Sequence, residues 1–541
     1  MKKCIHRIAT GLLLVAVALV PALGATAAEP IAIVSVSSLD ESLSDVEYLL
    51  EATGTDAFGQ FFMPQVKAYL QGLNTEKPLG MSLSFDGMAF QPLVFLPVDD
   101  LDSFLSQMED TLGEPADAGD GILELQGPET IFLKEQGGWA FIAQDVETLD
   151  DLPADPSKLL EGLHRQYDVA IRGYFQNIPE QYREMLLAQM TAGFEQGLED
   201  NDDEEAKKMA EAQIAQVKRM FDEGDAMTFG WNVDPRSKET YFETTVTAKA
   251  GTDFAKQMSA MSKATTKYSG FIVPNAAISG NFSGVVEEDQ VAQMKAMLSG
   301  LEQSALNEID EDDDIDNDAM RAGAKKLVSG VFEVLNDTVA TGKLDSATSV
   351  LLEDSSITIA TAAHVADGAD VEKLAQDLVK MAKQSDEVAF SKEKFNAGTH
   401  NGVRLHELAI PIPDEEYVSE VLGGELEVCI GAADNDIYVV VGSNPVSSLK
   451  KMIDKSKASG EVKASPFNAT VKLAPILRFA EAVEGEIQVS TIAEMLEDSG
   501  NDHVKVRASA AENGAAYRFT IEEGVLKAIG QAVQMQMAQG F

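Results

Sequence analysis

Tyr167-Asp168-Val169-Ala170-Ile171-Arg172 and, 300 residues further on, Phe467-Asn468-Ala469-Thr470-Val471-Lys472 share one pattern: an aromatic, a small polar residue, then apolar residues ending in a base. Each is short, apolar and bounded in the manner of a strand. Working outward, segments of the first half recur in order in the second, with offsets that drift as loops change length. A recurrence of that kind points to a tandem duplication.

Before each matched segment lies another apolar run, Gly138-Trp139-Ala140-Phe141-Ile142-Ala143 and Asp436-Ile437-Tyr438-Val439-Val440-Val441, leading into a short helix with Leu and Lys. Earlier still, strand-like residues 81–85 and 90–98 turn through Asp99-Asp100 into a helix carrying Leu101, Phe104, Leu105 and Met108. The second half repeats this with residues 349–352 and 357–365, then Asp367, Asp370 and a helix with Val371, Leu374, Leu378 and Met381. The aspartates suit helix starts, where a carboxylate accepts from free N–H groups and complements the dipole.

Each half opens on a strand, 31–36 or 277–285, and closes on a strand pair before a terminal helix. The pairs, 227–233 with 241–247 and 503–509 with 517–521, flank Asp234-Pro235 and Asn513-Gly514, which are turn signals. Strands arrive as neighbours more often than singly between helices. The expected fold is therefore α+β: two tandem similar halves, each an antiparallel sheet with helices packed on one face. The boundaries are 1–27 for a leader, 28–268 for the first repeat and 269–541 for the second. A helical insertion, 179–222, is assigned to the first half; it carries stripes of Leu187, Met190 and Phe194 and of Ile214, Val217 and Phe221 around an acidic corner at 199–205. An acidic loop, 308–318, interrupts the second.

Three features of the second half resemble DUF3352, a family of exported bacterial proteins of unknown function. They are the Asp-ended strand entering an amphipathic helix (365–378), the Val-rich strand before a Leu-Lys helix (436–453), and the turn Ser465-Pro466-Phe467. The resemblance covers the second half and, more loosely, the first. It implies an exported protein and brings no activity and no functional residue.

The N-terminus points to the same address. Lys2, Lys3 and Arg7 precede an apolar run to Leu23 and the small residues Gly24-Ala25-Thr26-Ala27-Ala28, the pattern of a secretory signal peptide. Cleavage is expected near Ala28, with periplasm or medium as the destination. No later stretch has spanning length, so no integral membrane span is expected. Cys429, the one cysteine left after the leader departs with Cys4, lies in an apolar strand-like run and reads as a buried small hydrophobe. The formal net charge is -47, and about −50 without the leader's three bases. Such a field argues against nucleic acid and anionic headgroups as partners.

Asp312-Asp313-Asp314-Ile315-Asp316-Asn317-Asp318 alternates carboxylates like a calcium loop, but Asn317 and Gly323 stand where the EF-hand needs Gly and Glu. Ser447-Ser448-Leu449-Lys450-Lys451 holds Ser-x-x-Lys spacing without its companion motifs. The histidines His164, His364, His400, His406 and His503 show no one-turn pair; His400 and His406 could share one face of a strand. Gly280-Asn281-Phe282-Ser283-Gly284 has the wrong spacing for a nucleophile elbow. Met185, Met190, Met209, Met220, Met535 and Met537 suit an adaptable apolar surface or ordinary packing.

The sequence thus nominates no catalytic, cofactor-binding or metal-ligating residue. The expectation is a non-enzymatic binding or scaffolding protein for an unknown protein or small molecule. The alternatives are a carrier or holder of apolar ligands or polypeptides, and a hydrolase whose site one sequence does not display.

Overall fold

The computed structural model describes residues 29–127, 129–198, 204–312, 318–353, 356–383, 390–412, 424–484 and 487–538. The expected leader lies outside them, as do 199–203 of the acidic corner and 313–317 of the acidic loop. The described chain is a mixed α/β structure of helices and antiparallel sheet, and it divides into two compact units.

The first unit holds the described residues up to Leu186, Phe221–Lys249, and those from Thr520 onward. Its strands are β1 Pro30–Val36, β2 Leu79–Phe85, β3 Phe90–Pro97, β4 Ala116–Gly119, β5 Ile122–Gln126, β6 Thr130–Gln136, β7 Trp139–Ala143, β8 Val169–Tyr174, β9 Gly224–Asp234 and β10 Glu239–Ala248. They pair in the order β4-β5-β6-β7-β3-β2-β1-β8-β9-β10, every neighbour antiparallel.

The second unit holds Leu187–Met220 and Ala250–Phe519. Its strands are β11 Thr265–Thr266, β12 Ile278–Val285, β13 Lys343–Glu353, β14 Ser356–His364, β15 Lys392–His400, β16 Val403–Pro411, β17 Glu425–Ala432, β18 Asp436–Val441, β19 Val462–Lys463, β20 Phe467–Lys472 and β21 His503–Ala511. The antiparallel order is β15-β16-β17-β18-β14-β13-β12-β20-β21, with β11 and β19 paired separately. After β21 the chain reverses through Asn513, in the left-handed region at φ 51, into β22, Gly514–Glu522.

Units and chain order do not coincide. The helix Glu523–Ala538 packs against the helix Leu39–Ala52 in the first unit, while the helix Asp253–Ala260, which follows β10, packs on β21 in the second. The boundary read at 268/269 and the compact units therefore cut the chain differently.

Both faces of the central strands are covered, which corrects the expectation of helices on one face. In the first unit Leu96, Leu125, Leu133, Ala140 and Ile142 lie under the helix Leu101–Leu112, through its Leu101, Phe104, Leu105, Met108 and Leu112. Asp100 starts that helix, accepting from the Ser103 N–H at 3.1 Å, and Gly113 ends it at φ 75. On the opposite face Ile33, Phe95, Trp139, Phe141 and Tyr167 meet Leu149, Leu160 and Leu163. Those three leucines sit on 3₁₀ turns where the sequence suggested a short α-helix. β7 is buried at every residue, so one layer of cover would leave half its side chains in water.

The second unit repeats the two-sided arrangement. Leu449 and Ile453 of the helix Pro445–Ser459 cover Val403, Leu405, Cys429, Tyr438 and Val440. The helix Gly368–Ala382, capped by Asp367, reaches the other side, where its Glu372 meets Arg404 at 3.0 Å.

The expected helical insertion is present, and a further helix pair accompanies it. The helices Glu180–Leu198 and Glu204–Glu223 lie between β8 and β9, and Leu473–Glu484 and Ile487–Ser499 lie between β20 and β21. Arg478 ties that second pair together with bonds of 3.0 and 2.8 Å to Glu497. The acidic loop joins the helices Glu288–Glu311 and Asp318–Ala340.

Close packing makes one glycine decisive. A Cβ on Gly230 in β9 would stand 2.3 Å from the ring of Tyr167, whose hydroxyl donates to Glu243 at 2.6 Å. Gly230→Ala is expected to cost about 1–3 kcal/mol, since overpacking forces ring or backbone to move. Denaturant unfolding checks this, and an unchanged midpoint at equal slope contradicts it.

Candidate functional site

Residues directly opposite one another in an antiparallel pair share a face of the sheet. Val34 is opposite Ile171, Ile171 opposite Phe229, Val169 opposite Trp231, and Trp231 opposite Phe242. The Trp231 and Phe242 rings stack with centroids 6.4 Å apart. Yet Ile171, Phe229 and Phe242 are 48%, 50% and 54% exposed. Leu79, packed under the Leu101–Leu112 helix, is opposite Val36, so covered and open patches belong to one continuous face. The helix stops short, and the β8-β9-β10 end of that face meets solvent.

In the second unit Phe282 is opposite Phe467, Ile278 opposite Val471, and Ala469 opposite Val506. Phe282, Ile278, Phe467 and Val506 are 47%, 40%, 39% and 36% exposed. Period-two alternation puts all of them on one side of β12, β20 and β21. Apolar residues scattered singly over a surface need no explanation; contiguous rows of large ones are uncommon on monomers.

Buried polar groups form two further clusters. In the first unit Asp45 of the helix Leu39–Ala52 and Asp168, just before β8, are both buried with their carboxyls within hydrogen-bond reach. The Val233 N–H donates to Asp168 Oδ2 at 2.6 Å, while Asp45 Oδ2 has no partner. Burial first, then the charges of Asp168 and Glu41, pushes the Asp45 carboxyl up to about 7. Burial also raises Asp168, against the stabilising Val233 bond.

The other cluster gathers near the starts of β13 and β18. Tyr268 donates to Asp436 Oδ1 at 2.5 Å, Lys267 pairs with the same carboxylate, and Asp345 accepts from the Lys267 N–H at 3.0 Å and from Ser283 at 3.3 Å. Burial drives the Tyr268 phenol far above its ordinary range, so it stays a neutral donor. Each member is engaged by another, an arrangement suited to tying strand ends together.

The Ser-x-x-Lys residues lie on the wall of an open cavity of about 400 Å³ at the start of the Pro445–Ser459 helix, with Lys392, Glu407 and Glu427. Lys392 is paired with Glu407 at 2.5 Å, and Glu427 accepts from the Asn444 N–H at 3.1 Å. Ser447 is exposed, and among the described residues no hydrogen bond joins it to Lys450. A nucleophile held by its base needs that contact.

The histidines do not converge. His400 ends β15 and His406 lies inside β16, so they do not share one strand as the spacing suggested; the turn at Asn401-Gly402 separates them. His400 meets Asp454 at 2.7 Å. His406 is buried, accepts from the Asn396 N–H at 3.1 Å, and burial lowers its affinity for a proton. His364 contacts the Asn435 carbonyl at 2.9 Å, His503 lies 3.4 Å from Asp502, and His164 neighbours Arg165. Gly280 to Gly284 lie within β12 rather than at a strand-to-helix turn. Met185 and Met190 are well exposed; the side chains of Met209 and Met537 lie outside the described set.

Among the described residues no helix is long and apolar enough to cross a membrane. Neither a family model, nor a curated protein, nor a solved structure matches the chain.

Cys429 is wholly buried and its thiol is pushed up to about 11, by burial first and then by Glu407. A thiolate is the reactive form. Folded protein is expected to leave Cys429 unlabelled by a thiol reagent at neutral pH, with labelling appearing on denaturation. Mass spectrometry checks this, and prompt labelling of Cys429 in the native state contradicts it.

Proposed function

We propose that this chain is an exported, non-enzymatic binding protein that holds apolar ligands or extended polypeptide segments against open sheet faces. The observation carrying this reading is the row of half-exposed Ile171, Phe229 and Phe242 on β8, β9 and β10. Phe282, Phe467 and Val506 provide its counterpart in the other unit. A net charge of -47 supports it from another side, because repulsion keeps molecules with apolar faces from associating. The polar clusters add no competing chemistry: their groups are engaged with each other or sit beyond a reactant's reach.

The tandem halves, 28–268 and 269–541, belong to the same reading. What supports them is strand order: β4-β5-β6-β7-β3-β2-β1-β8-β9 matches β15-β16-β17-β18-β14-β13-β12-β20-β21 position for position, and each order has a helix pair before its last hairpin. Kinship with DUF3352 belongs to the same proposal, supported by the Asp367 cap and the Asp436–Val441 strand followed by the Pro445–Ser459 helix. Export rests on the Lys2 to Ala28 pattern.

Two measurements test the reading. A neutral fluorescent probe such as N-phenyl-1-naphthylamine, which the acidic field does not repel, is expected to bind saturably. Phe229→Ser with Phe242→Ser should weaken binding about tenfold, the equivalent of about 1.4 kcal/mol. Absence of saturation, or equal affinity in the double variant, contradicts the proposal. For export, N-terminal sequencing of protein recovered outside the cytoplasm is expected to begin within a residue of Ala28; recovery with Met1 intact in the cytoplasm contradicts it.

A further inference from the structure

The helix Leu39–Ala52 buries only two of its fourteen residues, Asp45 and Ala52. Its deepest polar contact is thus an acid, pressed against a second acid, Asp168, which is equally buried. Among the described residues one backbone donor, the Val233 N–H, serves the pair, and it goes to Asp168. Two buried carboxylates in contact without a base between them repel when both are ionised, so the closed arrangement favours one proton held between them.

We infer that Asp45 and Asp168 form a proton-operated latch that fastens the Leu39–Ala52 helix to the end of β8 and β9 when they share a proton, and releases it when both are charged. The surroundings make the device one-sided. Glu41 faces the pair from the same helix and Asp234 from the end of β9, so the nearby charges oppose ionisation. Glu523, on the helix packed against Leu39–Ala52, is engaged by Lys238 at 2.8 Å and Lys527 at 3.0 Å. Tyr48, one turn along from Asp45, stays neutral, pushed up to about 12 by burial first and then by Glu523 and Asp234.

The sign follows from linkage. Folding favours the protonated form of Asp45, so its stabilisation is full below the ordinary carboxylate range and is lost as pH rises through about 7. Release is local: among the described residues the helix is also held by its contacts with neighbouring helices, the Lys67–Glu47 pair at 2.9 Å and the bond from the Asp40 N–H to the Thr75 carbonyl, all of which lie outside the carboxyl pair.

Hydrogen exchange of amides in the Leu39–Ala52 helix tests the latch on the full chain, with the Leu101–Leu112 helix as internal reference. Corrected for intrinsic rates, exchange in the first helix relative to the second is expected to rise about tenfold between about pH 5.5 and about pH 8.5. Asp45→Asn should flatten that rise, since its amide donates to Asp168 at every pH. If Asp45→Asn does not fold, Asp168→Asn serves, since it keeps an oxygen for the Val233 N–H. An identical pH profile in wild type and in either folded variant overturns the proposal, as does a wild-type profile with no rise.

Discussion

Trp139 to Ala143 are all buried, and in an antiparallel sheet successive side chains point to opposite sides. The sheet at that point therefore needs two covers. Each large side chain brought under cover contributes about 1.5–3 kcal/mol, so the strands around β7 and β18 dominate the stability of their units. Everything else is arranged by where the covers end. The Leu101–Leu112 helix protects the β5-β6-β7-β3 portion of one face, and the strands beyond β1 continue that face without it.

The open end is the consequence that bears on function. Strands that stay apolar after their cover has stopped carry a cost in water unless something else uses them. Phe229 and Phe242 are aromatic where Ser or Thr would keep the same strand geometry. A second row of the same kind lies on β12, β20 and β21 of the second unit. Cover and opening are set by helix placement, and the Leu39–Ala52 helix, seated on a shared proton, is the element whose placement responds to conditions.

Much of this was legible from residue order alone. β18 and β20 start and stop at the residues the apolar runs mark, and Asp100 and Asp367 cap the helices assigned to them. The strands that escaped are informative. β4, reading Ala116-Asp117-Ala118-Gly119, and β15, opening Lys392-Glu393-Lys394, are the outermost members of their orders. Edge strands carry charge and small residues that discourage further pairing, which erases the apolar signal a reader looks for. The Leu473–Glu484 helix escaped because it follows directly on a strand and carries Pro475 as its third residue, although proline fits a first turn. The Asp45–Asp168 pair had no sequence signal: its members are far apart in the chain, and in a protein with 89 acids only burial distinguishes them.

The central claim is that one sheet face is sealed near β7 and open near β9. Fluorine NMR of protein labelled with 4-fluorophenylalanine, read in the presence of a soluble neutral paramagnet, tests it most directly. The account predicts strong relaxation at Phe229 and Phe242, with Phe104, under the Leu101–Leu112 cover of the same face, unaffected. Equal protection of all three would show the face to be closed in solution and would contradict it.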